Sequence, residues 1–509
     1  METEGKLTAA EERFEHWRRT VGLFLGPIAG VAVVLLPMPG LSAQAHRLAG
    51  IIAWVIVWWV TEPVPIPVTA LLGAVLSVLF GVAEAKAAFA PFSDPVIYLF
   101  LGSFLLAQGM MVHGVDKRFA YQLMSARWVG NSTGRILFMF GAIAAFISMW
   151  ISNTATTAMM FPIGLGIVYT MSEMLARSTG RRIDPRHLRY GTGMMLMAAY
   201  AASAGGIGTP VGTPPNLIGL AMIEKLIGLK ITFFQWMLFA VPLLVVMYLL
   251  LFALMRVLHK PEVGRIESGQ ELVREELRRL GGWTRGQKNV LFAFLVAVTL
   301  WVTPGFIAVI TGTEAPLYKN YSGRVPEAVA AVTAASLLFL LPVDWKKRQF
   351  TLSWKEAIQI DWGTLILFGG GLTLGEMMFK TGLADAIGRG LLGISGATST
   401  WGLTFAAIWV SIIVSEATSN TASATMVVPV IISVAQAAGV NPVPPAIGAT
   451  LAASWGFMLP VSTPPNAIVY GSGMVPITKM IRTGILFDIG GGVLIWLGLR
   501  LLLPLVGLA

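Results

Sequence analysis

Long apolar runs, separated by short polar breaks, follow one another along the entire chain. Each run of about 17 to 25 residues is long enough to cross roughly 30 Å of membrane hydrocarbon as a helix. A membrane β-barrel would instead show short segments of alternating polarity. Composition agrees with helices in a membrane, since 55% of the 509 residues are hydrophobic and 12% are charged. The pattern predicts an all-α polytopic membrane protein.

The apolar runs divide into simple spans and paired arms. Eleven spans are predicted near residues 21–37, 48–61, 65–82, 95–113, 190–208, 232–256, 288–309, 326–342, 361–379, 445–460 and 484–507. Two further regions each contain two apolar arms joined by a short polar tip, 136–151 with 155–174 and 401–414 with 422–438. We interpret each as a re-entrant hairpin, so the prediction is about eleven transmembrane helices plus two re-entrant hairpins.

The basic residues orient this topology. With a cytoplasmic N-terminus, 27 of the 36 Lys and Arg residues fall in the segments assigned to the cytoplasm, which are 1–20, 114–135, 175–189, 256–288, 343–357 and 475–483. Basic loops favour the cytoplasmic side. We therefore expect a multi-pass protein of the cell inner membrane with its C-terminus outside, and we interpret 256–288 as a solvated cytoplasmic linker. The first hairpin then enters from the cytoplasm and the second from outside.

Two polar motifs occur twice. Ser152-Asn153-Thr154 recurs as Ser419-Asn420-Thr421 at an offset of 267 residues, and the same offset pairs Asp94 with Asp361. The sequence PVGTPPN at 210–216 recurs as PVSTPPN at 460–466. Because the paired hairpins enter from opposite faces, the chain is predicted to be an inverted repeat, whose functional site lies near the membrane midplane.

The repeated breaks carry chemistry that suits an anion and a sodium ion. Each Ser-Asn-Thr tip ends one half-helix and begins another, so its polar groups lie beside free N–H groups and a positive dipole end that favour an anion. Thr213 and Thr463 each precede two prolines, which suits the start of a further half-helix. The carbonyls that such breaks release, together with hydroxyl and amide oxygens, are ligands for Na⁺ rather than for a transition metal.

No Lys or Arg lies in these motifs, so bound Na⁺ would supply positive charge for a dianion. Reciprocal stabilisation of ion and anion would follow. Among other membrane-embedded charges, Glu376 and Lys380 are spaced as a helix-face ion pair, whereas Glu416 beside the second tip is a candidate for ion balance or proton coupling. Cysteine is absent and the five histidines are scattered, which argues against an enzyme.

With both Ser-Asn-Thr tips and both Thr-Pro-Pro-Asn breaks, the sequence resembles the divalent anion/sodium symporter family over nearly its whole length. The resemblance implies substrate binding by Ser152, Asn153, Thr154, Ser419, Asn420, Thr421, Thr463, Pro464 and Thr213. It implies one Na⁺ site formed by Ser148, Ser152, Asn153 and Gly212. It implies a second Na⁺ site formed by Ser415, Thr418, Asn420 and Ser462.

The resemblance also implies a homodimer that works as an elevator, in which a hairpin-bearing part slides against a scaffold. The expected divisions are N-terminal scaffold 1–132, transport half 133–228, scaffold and cytoplasmic loop 229–399, second transport half 400–474 and a last transmembrane helix 475–509. The amphipathic stretches 114–130 and 382–396 are expected to be interfacial arms that join the two parts.

The expected function is secondary transport of C4-dicarboxylates such as succinate, malate and fumarate, coupled to Na⁺ as the coupling ion. Within the family, a dicarboxylate exchanger, a sulfate or citrate carrier, and proton coupling stay open as alternatives. An ion channel is the alternative from a different class. The expected partners are a small dicarboxylate, Na⁺, membrane lipid and a second copy of the chain, with no nucleic acid.

Overall fold

Helices begin where the apolar runs begin. The computed structural model describes residues 9–266, 269–395 and 399–508, so the first part of the segment 1–20 lies outside the described residues. Ser42 and Asp94 cap the second and fifth helices by accepting hydrogen bonds from first-turn N–H groups. The N-terminal helices are α1 (Ala9–Leu35), α2 (Ala43–Thr61), α3 (Ile66–Leu79), α4 (Ala85–Phe89), α5 (Pro95–His113) and α6 (Val115–Met124), with a 3₁₀ turn at Ala90–Ser93.

The first predicted hairpin and its following broken helix are both present as helical segments. The hairpin arms are α7 (Thr133–Ser148) and α8 (Asn153–Thr179). After a 3₁₀ turn at Pro185–His187 come α9 (Arg189–Gly205), a 3₁₀ turn at Gly206–Gly208 and α10 (Pro214–Ile227). Helix α10 begins at the two prolines that follow Thr213, as the sequence predicts.

The middle of the chain differs from the prediction in two places. Its elements are α11 (Phe233–Leu258), α12 (Gly269–Arg279), α13 (Arg285–Thr311), α14 (Pro316–Arg324), α15 (Glu327–Leu340), strands β1 (Pro342–Asp344) and β2 (Gln349–Phe350), α16 (Trp354–Ala357), α17 (Trp362–Lys380) and α18 (Leu383–Ser395). The segment 256–288, predicted to be a solvated linker, is not merely a linker, because α12 forms there, packs against α6 and α8 and buries Val273. The short antiparallel β1–β2 ribbon was not expected.

The second repeat shows one further difference. It contains α19 (Thr400–Ala417), α20 (Asn420–Ala437), α21 (Val443–Ala452), α22 (Pro464–Tyr470) and α23 (Ile477–Leu502), followed by a 3₁₀ turn at Pro504–Val506. The expected span 445–460 stops early, since the helix ends at Ala452 and the chain is irregular up to Thr463. Position 396 of the expected second arm 382–396 lies outside the described residues, and α18 covers 383–395 of that arm.

The helices pack as two groups. Helices α1–α5 and α13–α17 contact one another and are called the frame, while α7–α11 and α19–α23 form a second group, called the hairpin unit. Helix α17 of the frame lies against α10 and α20 of the hairpin unit, and α13 lies against α11. Helix α18 packs on α20 and on α2, and helix α6 packs on α7 and on α5, so both bridge the two groups.

Helix length and polarity identify a multi-pass membrane protein. Among the described residues, nine helical segments are long and apolar enough to cross a membrane, and a tenth results if α14 and α15, bent by 53°, cross together. Three of the nine are the arms α8, α19 and α20 of the predicted hairpins. The count of eleven crossings plus two re-entrant hairpins stays a prediction.

Candidate transport site

The first tip places polar groups at the start of a long helix. Helix α7 ends at Ser148 and α8 begins at Asn153, with Ser152 between them as the N-cap. The Ser152 hydroxyl accepts a hydrogen bond from the backbone N–H of Ala155 at 3.3 Å. Ser152 and Thr154 are exposed and Asn153 is half-buried, so the side chains of the tip are open to a ligand.

Oxygen atoms converge beside this tip. The Ser148 hydroxyl donates to Asn153 Oδ1 at 2.7 Å, and the Thr209 hydroxyl donates to the Met149 carbonyl. A Cβ atom added to Gly212 would lie 2.4 Å from the Gly206 carbonyl oxygen, 2.9 Å from that of Met149 and 3.0 Å from that of Ser148. Three carbonyls therefore crowd around Gly212, and three of the residues expected to bind the first Na⁺, Ser148, Asn153 and Gly212, are close together.

An asparagine holds the first broken helix in place. The side chain of Asn216 is buried, and its Nδ2 donates to the carbonyls of Gly206 at 3.0 Å and Thr209 at 2.8 Å. These carbonyls have left the helical ladder at the break, and buried backbone acceptors need such partners. The asparagine of the Thr-Pro-Pro-Asn motif thus stabilises the unwound segment.

The second tip repeats these contacts. The Ser415 hydroxyl lies 2.8 Å from Asn420 Oδ1 and 2.7 Å from the Ala453 carbonyl, and Ser419 accepts from the N–H of Ala422 at 3.3 Å. The side chain of Asn466 donates to the carbonyls of Gly456 and Leu459, the counterparts of Gly206 and Thr209 at an offset of 250. Equivalent residues therefore make equivalent hydrogen bonds in both halves of the chain.

A buried carboxylate distinguishes the second site from the first. Glu416 accepts hydrogen bonds from the backbone N–H of Met458 at 2.8 Å and from the Ser462 hydroxyl at 2.6 Å. The corresponding positions of the first half are Met149 and Gly212, which supply no acid and no hydroxyl. The second set of expected Na⁺ ligands therefore lies directly beside a carboxylate, which orients the Ser462 hydroxyl.

A second buried acid, Asp488, lies close to Glu416. It is the single acidic residue of α23, is 3% exposed, and interacts electrostatically with the carboxyl group of Glu416. Neither of its oxygens accepts a hydrogen bond of good geometry. The sequence expectation did not include Asp488 in the site, although an acid in an apolar helix is a signal of function.

The two halves exchange half-helices, so each half-helix packs against the opposite half of the chain. Helix α10 starts beside the first tip but packs against α20 and α21 of the second half. Helix α22 starts beside the second break but packs against α8 and α9 of the first half. Since α8 and α20 each begin at a Ser-Asn-Thr tip, each half-helix runs along an arm of the opposite repeat.

The remaining expected site residues differ in their contacts. Thr463 is buried and accepts from the N–H of Asn466 at 3.3 Å, whereas the buried Thr213 makes no such cap hydrogen bond. Thr418 donates its hydroxyl to the Val414 carbonyl at 3.0 Å, which leaves its oxygen lone pairs free for an ion. Pro464 is exposed, while Ser419 and Thr421 are half-buried at the second tip. The substrate and ion residues of each half are thus neighbours.

The chain matches the family described as Sodium:sulfate symporter transmembrane region over residues 16–506. The chain belongs to this family. The sodium:sulfate symporter family consists of transporters, so the chain is a membrane transporter and not an enzyme. The match also confirms the resemblance to divalent anion/sodium symporters that the four motifs indicate.

Relatives of this sodium:sulfate symporter family member cover nearly its whole length. It is 35% identical over 488 residues to the "Sodium-dependent dicarboxylate transporter SdcS" of Staphylococcus saprophyticus, covering 95% of this chain and 91% of the relative. It is 32% identical over 491 residues to the protein of the same name from Staphylococcus aureus strain USA300, covering 96% and 91%.

Two solved transporter structures share the fold of this family member. The Alcanivorax borkumensis YdaH transporter superposes with a TM-score of 0.51 at 14% sequence identity, over 97% of both chains. Neisseria gonorrhoeae MtrF superposes with a TM-score of 0.53 at 15% identity, over 95% of this chain and 97% of MtrF. At such identities the likeness concerns the fold alone.

Proposed function

We propose that the chain is a Na⁺-coupled carrier of C4-dicarboxylates such as succinate, malate and fumarate. The observation that carries the proposal is the duplicated serine–asparagine contact, at 2.7 Å in one half and 2.8 Å in the other, placed between a helix N-terminus and a set of converging oxygens. The names of the two staphylococcal relatives, which are sodium-dependent dicarboxylate transporters, support the same substrate and ion.

Each tip would bind one carboxylate of the substrate. The N-termini of α8 and α20 present backbone N–H groups, and Ser152, Thr154, Ser419 and Thr421 add hydroxyl donors beside them. Thr463, Pro464 and Thr213, at the starts of the two half-helices, would border the same pocket. Two anion sites from two repeats suit a short molecule with a carboxylate at each end.

Na⁺ would bind in the oxygen cages. Ser148, Ser152, Asn153 and Gly212 would form the first site, and Ser415, Thr418, Asn420 and Ser462 would form the second. Each asparagine offers its Oδ1 to the cage and its amide N–H groups to the anion, so it touches both ligands. Because no Lys or Arg lies in the motifs, Na⁺ would neutralise the dianion, which couples the two binding events.

We propose that transport occurs by sliding of the hairpin unit against the frame. Helices α11 and α23 would move with the hairpins, since the indole of Trp236 donates to the Ile207 carbonyl at 2.9 Å and Tyr200 donates to the Phe457 carbonyl at 2.6 Å and lies 3.2 Å from that of Met480. This proposal assigns 133–258 and 400–502 to the moving part, which is larger than the expected transport halves 133–228 and 400–474.

The remaining arrangement is proposed from the sequence. The chain would be a homodimer joined through its frame, located in the cell inner membrane with the N-terminus in the cytoplasm and the C-terminus outside. The bias of Lys and Arg toward the predicted cytoplasmic segments supports this orientation. The two repeats would then be inverted relative to each other.

Uptake into liposomes tests the proposal. We expect labelled succinate to enter empty vesicles only when Na⁺ is present outside, and to accumulate there when the Na⁺ gradient is inward. K⁺ is the control cation, and an inward proton gradient is the control for proton coupling. Uptake only into succinate-loaded vesicles, regardless of Na⁺, would identify an exchanger. If succinate is not taken up but sulfate or citrate is, the substrate is one of those anions. Na⁺ flux without substrate would indicate a channel.

A further inference from the structure

Two ion pairs connect the hairpin unit to the frame at one end of the molecule. Lys225 Nζ in the last turn of α10 lies 2.9 Å from Asp94 Oδ2 at the start of α5. Lys230 Nζ, between α10 and α11, lies 3.0 Å from Glu327 Oε2 in the first turn of α15. Both lysines belong to the hairpin unit and both carboxylates belong to the frame.

The described ion pairs elsewhere do not connect the two groups. Most of them join residues three to five positions apart, as in Glu376–Lys380 on α17, which confirms the helix-face pair that the sequence predicts. Arg18–Glu62 lies within the frame, and Arg189–Glu262 joins α9 to the segment after α11. The end near Asp94 is therefore where described charges of opposite sign meet across the boundary.

The carboxylates of these pairs are much less exposed than the lysines. The Asp94 side chain is 3% exposed and that of Glu327 is 16% exposed, while the lysines are 42% and 47% exposed and line a cavity of about 270 Å³. A buried carboxylate that loses its cation is left without compensation, which costs more than separating a surface pair. Sliding of the hairpin unit would separate both pairs at once.

We propose that Asp94–Lys225 and Lys230–Glu327 form an electrostatic latch that favours the position of the hairpin unit seen in the structure. This inference rests on the proposed sliding movement. It adds a determinant of the balance between the two end states, at a distance from the residues that bind substrate and Na⁺.

The other repeat lacks a counterpart of the latch. Asp361, which the 267-residue offset pairs with Asp94, also caps its helix, but its carboxylate accepts from the N–H and the hydroxyl of Thr364. No Lys or Arg among the described residues forms an ion pair with Asp361. Because one repeat has the latch and the other does not, the latch favours one end state over the other.

Spin-label distances test the latch directly. Since the chain has no natural cysteine, Arg177→Cys on α8 and Lys347→Cys beside β2 provide one label on the hairpin unit and one on the frame. Asp94→Asn keeps an oxygen for the helix cap but removes the charge, and Lys225→Gln removes its partner. The spin labels report two populations, molecules with the distance seen in the structure and molecules with the displaced distance. We expect either change to lower the ratio of the first population to the second by roughly three- to tenfold.

Matched controls separate the latch from other effects. Asp361→Asn alters the equivalent cap without an ion pair, and Lys319→Gln breaks the Glu314–Lys319 ion pair inside the frame, so both should leave the population ratio unchanged. The double variant of Asp94 and Lys225 should lower the ratio no further than one single variant does. An unchanged ratio in the single variants, with two distances present in the parent, would overturn the latch.

A cross-link distinguishes failure of the latch from failure of the proposed function. A bifunctional methanethiosulfonate reagent, which spans the gap left by the shorter side chains, should join Asp94→Cys to Lys225→Cys through two disulfides. The cross-link should stop succinate uptake, and reduction should restore it. Undiminished uptake in the cross-linked protein would overturn the sliding movement and the latch together. Absence of Na⁺-dependent uptake in the parent protein would contradict the proposed function alone, because the spin-label ratio is measured without transport.

Discussion

At the scale of single residues, two side-chain types determine the site. The Oδ1 atoms of Asn153 and Asn420 each accept a hydrogen bond from the hydroxyl of the serine five positions earlier. Their amide oxygens are therefore fixed, while the amide N–H groups remain available. Glu416 fixes Ser462, a residue that has no hydroxyl counterpart in the first half. The two proposed ion sites are therefore similar in shape but different in charge.

Replacing a tip asparagine should weaken the binding of both Na⁺ and succinate. We expect Asn420→Ala or Asn153→Ala to raise the Na⁺ and succinate concentrations for half-maximal uptake by roughly tenfold each, as for loss of a hydrogen bond to a charged group. Thr421→Ala should raise only the succinate concentration for half-maximal uptake. Concentration curves for both ligands in liposomes measure this, and an effect of Asn420→Ala on succinate alone would contradict shared binding.

Replacing the buried acid should act mainly on Na⁺. We expect Glu416→Gln to raise the Na⁺ concentration for half-maximal uptake by about tenfold, because the charge near the second cage is lost and the Ser462 hydroxyl loses its charged acceptor. The succinate concentration for half-maximal uptake, measured at saturating Na⁺, should change little. Glu376→Gln, which removes an acid from α17 in the frame, is the control, and equal effects of both variants would argue against the assignment.

Acid should destabilise the fold through His259. This side chain is buried beside Lys479 and Arg482, with Nε2 3.0 Å from the Thr483 hydroxyl, and burial followed by these cations lowers its pKa from 6.5 to about 4. A group with a lowered pKa binds its proton in the unfolded chain first, so stability present above pH 6.5 is lost as the pH falls toward 4. The loss reaches on the order of 2 kcal/mol at pH 5.

Unfolding temperatures of the purified protein in detergent, between pH 7.5 and pH 5, measure this loss. We expect His259→Gln to flatten the decline, whereas the exposed His187→Gln should leave it as in the parent protein. A decline equally steep in His259→Gln would show that other groups cause the acid sensitivity.

At the scale of helices, polarity predicts where a helix lies better than where it unwinds. The hairpin arms and the starts of α10 and α22 follow from the Ser-Asn-Thr and Thr-Pro-Pro motifs. The early end of α21 was missed because Trp455 and Phe457 continue the apolar run, although the chain has left the helix to bring carbonyls toward Ser415 and Asn466. A hydropathy profile scores only side-chain polarity, so it cannot predict a helix end that depends on those hydrogen bonds.

A methyl group at the first break should close its cage. A Cβ at position 212 meets three carbonyl oxygens within 3.0 Å, so Gly212→Ala should lower Na⁺-dependent uptake by at least about tenfold by displacing the ion or the break. Gly134→Ala is the matched control, because a Cβ there meets no atom within 4 Å. Normal uptake by Gly212→Ala would contradict the first Na⁺ site.

At the scale of the whole molecule, family, membrane class and the motifs of the site follow from the sequence. The grouping of helices does not, because α11 and α23 have ordinary apolar patterns and join the hairpin unit through contacts such as Trp236 with Ile207 and Tyr200 with Phe457. Asp488 likewise becomes a neighbour of Glu416 only when α23 packs beside the second break. Long-range packing decides these points, and no local pattern encodes it.

The central claim is that ion and dicarboxylate cross the membrane together, which a measurement of sodium movement tests most directly. Liposomes with equal Na⁺ on both sides and succinate only outside should take up radioactive sodium, and uptake should require succinate and fall in Asn420→Ala, as reciprocal coupling demands. Sodium movement that is the same with and without succinate, or absent while succinate enters, would contradict coupled transport.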